Sequence, residues 1–153
     1  MITIFCDGAC EPKNPGGVPA WGFVIYHDGR WIGEDCGIWG KGETNNIAEY
    51  AGLIEAFKYL VDNGLTRERV KVLSDSRLLI NQLTGFWGIN ADHLFELWGQ
   101  AKDLERKFPK VLYAWIPREQ NEYADALSRQ AYGESLAGLP ALGVLRDTGR
   151  EGD

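Results

Sequence analysis

The sequence predicts a single α/β domain, built on a five-stranded mixed sheet in the order 3-2-1-4-5 and flanked by helices. The chain opens with three alternating segments at residues 2–7, 21–26 and 30–39, and the turn before the third contains the strong hairpin signal Asp28-Gly29. Segments with helical and strand periodicity then follow one another to residue 132. A chain of 153 residues, 44% of them hydrophobic, suits one compact domain.

The second half of the domain is predicted from its periodicity and stop signals. Residues 46–62 have helical spacing and end at Asn63-Gly64. A β-branched strand follows at 69–74, then helices at 76–83 and 91–108, a strand at 111–116 and a helix at 121–132. A right-handed crossover after the first long helix places the fourth strand beside the first and parallel to it. Residues 133–153 are rich in glycine and are predicted to be a loosely held C-terminal tail after the 1–132 domain.

Composition restricts the classes of function. The net charge of −6 argues against a binder that holds nucleic acid by a basic surface alone, but it is compatible with a cluster of acids that holds metal ions. The apolar runs are too short to span a membrane, and the N-terminus lacks the layout of a signal peptide. Three cysteines without a CxxC pair (Cys6, Cys10 and Cys36) indicate free thiols in a reducing cytoplasm.

Four acidic residues are expected at one edge of this sheet. Asp7 is predicted to end the first strand and Asp75 the adjacent parallel fourth strand, and neighbouring strands lie about 4.8 Å apart. Glu49 is placed in the first turn of the first helix, and Asp125 in the first turn of the last helix. Four converging carboxylates repel one another unless metal neutralises them, and oxygen ligands favour Mg²⁺ or Mn²⁺. Two such ions, about 4 Å apart, can promote an in-line phosphoryl displacement.

Three of these acids also have structural interpretations. Glu49 fits a capping box with Asn46, and Asp75 fits the N-cap of the helix that follows it. Asp125 can serve the dipole of the last helix. Asp7 has no capping duty, and the structural interpretations share no reason to fall at one edge of one sheet.

The segments that carry the four acids resemble the ordered motifs of type 1 ribonuclease H, namely FCDGACEPKNPGG, TNNIAEYAGL, LSDSRLLINQL and QNEYADALSR. The likeness runs from about Met1 to Tyr132. It is closer to the archaeal-like branch, whose marks are PREQNEYAD and the RDTG-bearing segment at 145–149. The resemblance implies a ribonuclease H-like fold that hydrolyses the RNA strand of RNA–DNA hybrids with two Mg²⁺ ions, Mn²⁺ being possible, and leaves 5′-phosphate and 3′-hydroxyl ends.

The resemblance also implies roles for the acids. Asp7, Glu49, Asp75 and Asp125 match the metal-binding positions of the family. Asp7 is expected to bridge both ions, and Asp125 to help hold the ion that activates water. Glu49 is expected to serve the other ion near the 2′-hydroxyl at the cut.

Substrate contacts are implied in the same way. Asn14 and Thr44 match positions that touch phosphates of the DNA strand. Cys10, Asn45 and Asn46 match positions at the RNA backbone and minor groove. The 2′-hydroxyl distinguishes RNA from DNA, and short amide side chains suit its recognition.

The chain departs from the pattern of many bacterial members at three places. The loop before the last acid, residues 117–121, has no histidine; Arg118 is the candidate substitute, with packing on Trp115 as the alternative. Arg77 stands where glutamine is frequent and offers a planar donor fork to the hybrid backbone. Many bacterial members have a basic helix-and-loop segment called the handle. In this chain the short uncharged segment 84–90 stands in its place. There Phe86 or Trp87 is expected to stack on a sugar, with core packing of Trp87 as the alternative.

The leading hypothesis is therefore a monomeric, cytoplasmic, hybrid-specific endonuclease that does not act at a membrane. The alternatives are a catalytically weak or inactive hybrid-binding module, a nuclease that also cuts RNA duplexes, and a DNA-directed nuclease or recombinase on the same fold. The TNN segment before Glu49 and the loop of Asn14 favour the RNA–DNA hybrid.

Overall fold

Nine regular helices and strands are present in the computed structural model, which describes residues 1–12, 14, 16–40 and 44–138. A single 3₁₀ turn, Arg118–Gln120, precedes the last helix. In chain order the elements are β1 (Ile2–Glu11), β2 (Val18–His27), β3 (Arg30–Ile38), α1 (Asn45–Asp62), β4 (Val70–Ser74), α2 (Arg77–Leu83), α3 (Asp92–Glu105), β5 (Val111–Trp115) and α4 (Glu122–Gly138).

The strands form one five-stranded sheet in the order β3-β2-β1-β4-β5, which confirms the predicted topology. β1 pairs antiparallel with β2, and β2 with β3, whereas β1–β4 and β4–β5 are parallel pairs. The parallel pairing of β1 with β4 ends at Phe5 opposite Leu73. Continued by two residues, that register places Asp7 beside Asp75.

Helices cover both faces of the sheet. Trp21 and Gly22 are consecutive residues of β2 and therefore point to opposite faces. The Trp21 side chain lies near Gly52 of α1, while Gly22 faces Ala124 and Leu127 of α4. The main core lies on the α1 side, where apolar residues of β1, β2 and β4 pack against α1, α2 and α3.

Two element boundaries differ from the predictions in ways that bear on the acids. β1 continues to Glu11, because Gly8 to Glu11 remain paired with β2, so Asp7 lies inside the strand instead of at its end. α1 begins at Asn45, with Thr44 as its N-cap, and the Thr44 Oγ1 accepts a hydrogen bond of 3.3 Å from the Ile47 N–H. Glu49 therefore lies just beyond the first turn of α1, whereas the sequence predicted it within that turn.

The last helix is longer than predicted, because α4 continues six residues past Tyr132 to Gly138. The rest of the predicted tail, including the segment 145–149, lies outside the described residues. Within the described part of the chain, no helix combines the length and apolar character needed to cross a membrane. All three cysteines are free thiols, as predicted.

Candidate functional site

Three of the four predicted acids meet at the carboxyl end of the β1–β4 pair. Asp7, Glu49 and Asp75 each offer a carboxylate oxygen, and these oxygens all lie within 4.8 Å of one another. Asp7 and Asp75 are neighbours through the parallel register of their strands. Asp7 is only 6% exposed, and Asp75 and Glu49 are partly buried.

Glu49 joins this pair because α1 passes very close to β1 at Gly8. A Cβ atom built on Gly8 would lie 2.2 Å from the carbonyl carbon of Ala48 and 2.4 Å from the Glu49 nitrogen. Such distances are far inside van der Waals contact, so any side chain at position 8 would push the start of α1 away from the strand. On the other face, a Cβ atom on Gly22, the partner of Asp7 in β2, would lie 2.7 Å from the Leu127 Cβ of α4. The two glycines therefore let both helices approach the Asp7 carboxylate.

The electrostatics of the cluster favour a bound cation. Burial, reinforced by the nearby Asp75 and Asp125, raises the pKa of Asp7 from 3.8 to about 8. Burial and the charges of Asp7 and Asp75 raise the pKa of Glu49 well above its usual range. The Glu49 Oε1 is buried and has no hydrogen-bond partner among the described residues. Crowded carboxylates with an unsatisfied oxygen fit a hard divalent cation, which would neutralise them and complete their coordination.

Asp125 reaches the same cleft from the first turn of α4 and interacts with Asp7. Its Oδ2 accepts a hydrogen bond from the guanidinium of Arg129, which also lines the cleft. Arg129 received no role from the sequence, although its position four residues after an acid on a helix is a signal for such a pair.

Asn121 also belongs to the site, although no role was predicted for it from the sequence. It is 1% exposed, and its Nδ2 donates to the Cys6 carbonyl at 2.9 Å and to the Asp75 Oδ1 at 3.0 Å. Its carbonyl accepts from the Asp125 N–H at 3.1 Å. Asn121 therefore ties the first turn of α4 to the ends of β1 and β4. Asparagine immediately before a helix is a common N-cap, which was the available signal.

Arg118 lies at the rim of the cleft, with its side chain 85% exposed and its Nε 3.7 Å from the Asp75 Oδ2. The guanidinium that lies over the Trp115 ring, 3.8 Å from its centroid, belongs to Arg77. The alternative in which Arg118 packs on Trp115 is therefore wrong. Arg77 is exposed and does not line the carboxylate cleft.

Three of the residues expected to contact the hybrid, Cys10, Asn14 and Asn45, form one wall of the cleft. The Asn45 Oδ1 accepts from the Cys10 N–H at 2.8 Å, and the Asn14 Oδ1 accepts from the Asn45 N–H at 3.0 Å. These bonds join the end of β1, the loop after it and the start of α1 into one surface. Thr44 and Asn46 flank Asn45 at the start of α1, Thr44 as its cap.

Capping does not explain Glu49 or Asp75. Thr44 caps α1, and Ser76 caps α2, where its Oγ accepts from the Leu79 N–H at 3.1 Å. Asp125 does lie in the first turn of α4, so an interaction with the helix dipole remains compatible with its position.

The segment that replaces the handle carries two exposed aromatic rings. Phe86 is 82% exposed and Trp87 is 49% exposed, so Trp87 is not a core residue. Together with Leu78, Gln82 and Leu94 they line a surface depression separate from the carboxylate cleft.

Comparison with known proteins places this geometry in a family. Residues 5–131 match the family described as reverse transcriptase-like. The chain is 33% identical over 134 residues to ribonuclease HI of Halobacterium salinarum, covering 88% of this chain and 65% of that protein. It is 41% identical over 133 residues to the bifunctional protein Rv2228c of Mycobacterium tuberculosis, covering 85% of this chain. The chain spans only 35% of the length of that mycobacterial protein.

Solved structures agree with the sequence relatives. The N-terminal ribonuclease H domain of the mycobacterial protein superposes with a TM-score of 0.81 at 32% identity, covering 90% of this chain and 97% of that one. The ribonuclease H1 of Halobacterium salinarum gives 0.79 at 34% identity, with 87% and 98% covered. LC11-RNase H1, solved in complex with an RNA/DNA hybrid, gives 0.81 at 32% identity, with 89% and 99% covered. The chain belongs to the type 1 ribonuclease H family, because its sheet order, its acidic cleft and these relatives all agree.

Proposed function

We propose that this protein is an endonuclease that hydrolyses the RNA strand of RNA–DNA hybrids by a two-metal-ion mechanism and leaves 5′-phosphate and 3′-hydroxyl ends. The observation that carries the proposal is the approach of Asp7, Glu49 and Asp75 oxygens within 4.8 Å of one another in an open cleft. Membership of the ribonuclease H family supports the choice of reaction, and a relative of this fold was solved with an RNA/DNA hybrid.

Asp7, Glu49, Asp75 and Asp125 are the residues that would hold the ions, Mg²⁺ or Mn²⁺. The chemistry that bound divalent cations supply in such sites is activation of the attacking water and neutralisation of the leaving oxygen. The protein contributes a fixed arrangement of oxygens: Asn121 holds the Asp75 carboxylate, and the contact at Gly8 fixes Glu49 against β1. Preorganised ligands need no rearrangement when the transition state forms.

The wall formed by Cys10, Asn14 and Asn45 is proposed to follow the hybrid across the cleft, with Thr44 and Asn46 beside it. Its hydrogen bonds hold Asn45 with a side-chain amide at the cleft surface, the kind of group that reads a 2′-hydroxyl. Arg77 adds a charged contact beyond the cleft, and Phe86 or Trp87 supplies an exposed ring for stacking on a sugar of the hybrid.

Arg118 is proposed to position the scissile or product phosphate in place of the loop histidine of other members. Its exposed guanidinium lies at the rim next to Asp75, so it can reach a phosphate held over the carboxylates. We further propose that the enzyme acts as a monomer in the cytoplasm, which agrees with three free thiols.

The test is cleavage of one matched sequence presented as RNA–DNA hybrid, RNA duplex and DNA duplex, each with Mg²⁺ and with Mn²⁺. We expect metal-dependent cleavage of the RNA strand in the hybrid, with 5′-phosphate ends identified by mass spectrometry. Binding of the hybrid without cleavage under either metal would indicate an inactive binding module. Efficient cleavage of the RNA duplex would extend the substrate range.

A further inference from the structure

Arg129 lies one turn after Asp125 on α4, and its guanidinium donates to the Asp125 Oδ2. Residues four apart on a helix are neighbours, so this pair forms without distortion of the backbone. Both side chains line the cleft that contains Asp7 and Glu49. The positively charged Arg129 side chain is thus in direct contact with Asp125, one of the four proposed metal ligands.

The acid that Arg129 contacts is also the one that lies outside the tight group formed by the other three acids. The oxygens of Asp7, Glu49 and Asp75 form one tight group, and Asp125 is not part of that group in the described chain. Asp125 nevertheless interacts with Asp7. Its carboxylate is therefore shared between the acidic cluster and the guanidinium.

We propose that Arg129 is a positioning residue that competes with a divalent cation for Asp125 and so weakens the second, less tightly held ion. The proposal rests on the two-ion site of the proposed function. A guanidinium and a divalent cation repel each other, so a guanidinium that donates to the Oδ2 opposes binding of the cation at the same carboxylate. The Arg129 side chain is 66% exposed, so it can swing into solvent when the cation binds.

The first measurement is calorimetric titration of the whole chain with Mn²⁺ at fixed ionic strength, without nucleic acid. Arg129→Gln removes the competing charge, and we expect about fivefold tighter binding of the weaker ion, the scale of one exposed ion pair. Arg129→Lys keeps a charge and should change the affinity by less than about twofold, since an ammonium still opposes the cation. The matched control is Arg106→Gln, which breaks a similar exposed pair with Asp103 on α3.

The second measurement distinguishes competition for the Asp125 carboxylate from a general change in the electrostatic potential of the cleft. In an Asp125→Asn background, Arg129→Gln should no longer improve Mn²⁺ binding, because the contested carboxylate is gone. An improvement that persists in this background would overturn the proposal. So would an unchanged affinity of Arg129→Gln, or binding of only one Mn²⁺ by both the wild type and Arg129→Gln.

The outcome is independent of hybrid cleavage. A gain in affinity of Arg129→Gln that requires Asp125 supports the role of Arg129 even if the wild type fails to cut the hybrid. Such a failure counts against the proposed nuclease alone.

Discussion

At the scale of single residues, the site depends on carboxylates held closer together than their charges favour. The pKa of Asp7 is raised to about 8 mainly by burial and next by the charge of Asp75, so the ionised form is disfavoured. Interactions that stabilise a metal-bound site thus destabilise the folded chain without metal. This conflict is common where function, and not stability, selects the residue.

Asp7→Asn is expected to lower the cleavage rate by about a thousandfold or more, since loss of the ligand that we propose two ions share would remove several kcal/mol of transition-state stabilisation. Stability should be equal or higher, because the folded variant needs neither a buried carboxylate among like charges nor the uptake of a proton on folding. Steady-state cleavage of a defined hybrid and thermal unfolding without metal measure the two effects. A rate within about tenfold of the wild type would contradict the metal assignment.

Arg118→Ala is expected to lower turnover about tenfold or more and to weaken hybrid binding less, since a charged hydrogen bond contributes about 1.5–3 kcal/mol. An arginine stays protonated at neutral pH, so its contribution must come from charge and donated hydrogen bonds. Arg118→Lys should recover only part of the loss, because the ammonium lacks the planar fork. Kinetics and circular dichroism of both variants, beside the exposed control Arg30→Ala, provide the measurement. Unchanged turnover in Arg118→Ala would make this residue structural.

The acids were predictable from the sequence because each lies near the end of a strand or the start of a helix that the periodicity indicates. Their partners were not, because contacts such as Asn121 with the Cys6 carbonyl join residues 115 positions apart. Side-chain choices are also not encoded in spacing: either Arg77 or Arg118 could have stacked on Trp115, and packing decides for Arg77.

At the scale of elements, the order of strands followed from hairpin signals and the right-handed crossover. The boundaries were harder, because glycine and cysteine at positions 8 and 10 interrupt the expected strand pattern. β1 continues to Glu11 because its pairing with β2 satisfies the backbone groups there. Likewise α4 continues to Gly138, although the glycine-rich composition of residues 133–153 predicts a tail.

The close contact of α1 with β1 predicts that Gly8→Ala is strongly destabilising. A Cβ atom 2.2 Å from the Ala48 backbone forces α1 to move. We expect the free energy of unfolding to fall by about 2–4 kcal/mol, which is at the high end of the cost of overpacking a core. Activity at a temperature where the variant stays folded should fall further, since Glu49 moves with the helix. Urea unfolding and hybrid cleavage measure the two effects.

Gly99→Ala on α3 is the matched control for this substitution. A Cβ atom there has nothing within 4 Å, and alanine should stabilise the helix by up to about 1 kcal/mol. A Gly8→Ala variant as stable and active as Gly99→Ala would show that α1 does not need this close approach.

At the scale of the whole molecule, the acidic cluster links stability to pH and to metal. The folded-state pKa of Asp7, about 8, lies above its unfolded value near 3.8, so the folded chain holds a proton that the unfolded chain releases. This contribution to stability is fully present below about pH 4 and is lost as the pH rises through about 8. We expect bound Mg²⁺ or Mn²⁺ to replace the proton as the neutralising charge and to stabilise the folded state by mass action.

Saturating Mg²⁺ should therefore raise the thermal midpoint of the wild type by several degrees, and by more at pH 8.5 than at pH 5.5, where the proton competes with the ion. Ca²⁺ should also stabilise the fold but support little cleavage, because its looser coordination positions the water and the leaving oxygen poorly. Differential scanning calorimetry at both pH values, with each metal and with chelator, gives the shifts, and hybrid cleavage gives the rates. Asp7→Asn is the control, because it lacks one titrating carboxylate of the cluster and should show a smaller metal shift with a weaker dependence on pH, which Glu49 still provides. An equal Mg²⁺ shift in Asp7→Asn and wild type at pH 8.5 would place the stabilising ion outside the cleft. Equal cleavage in Ca²⁺ and Mg²⁺ would contradict the proposed chemistry even if both ions bind there.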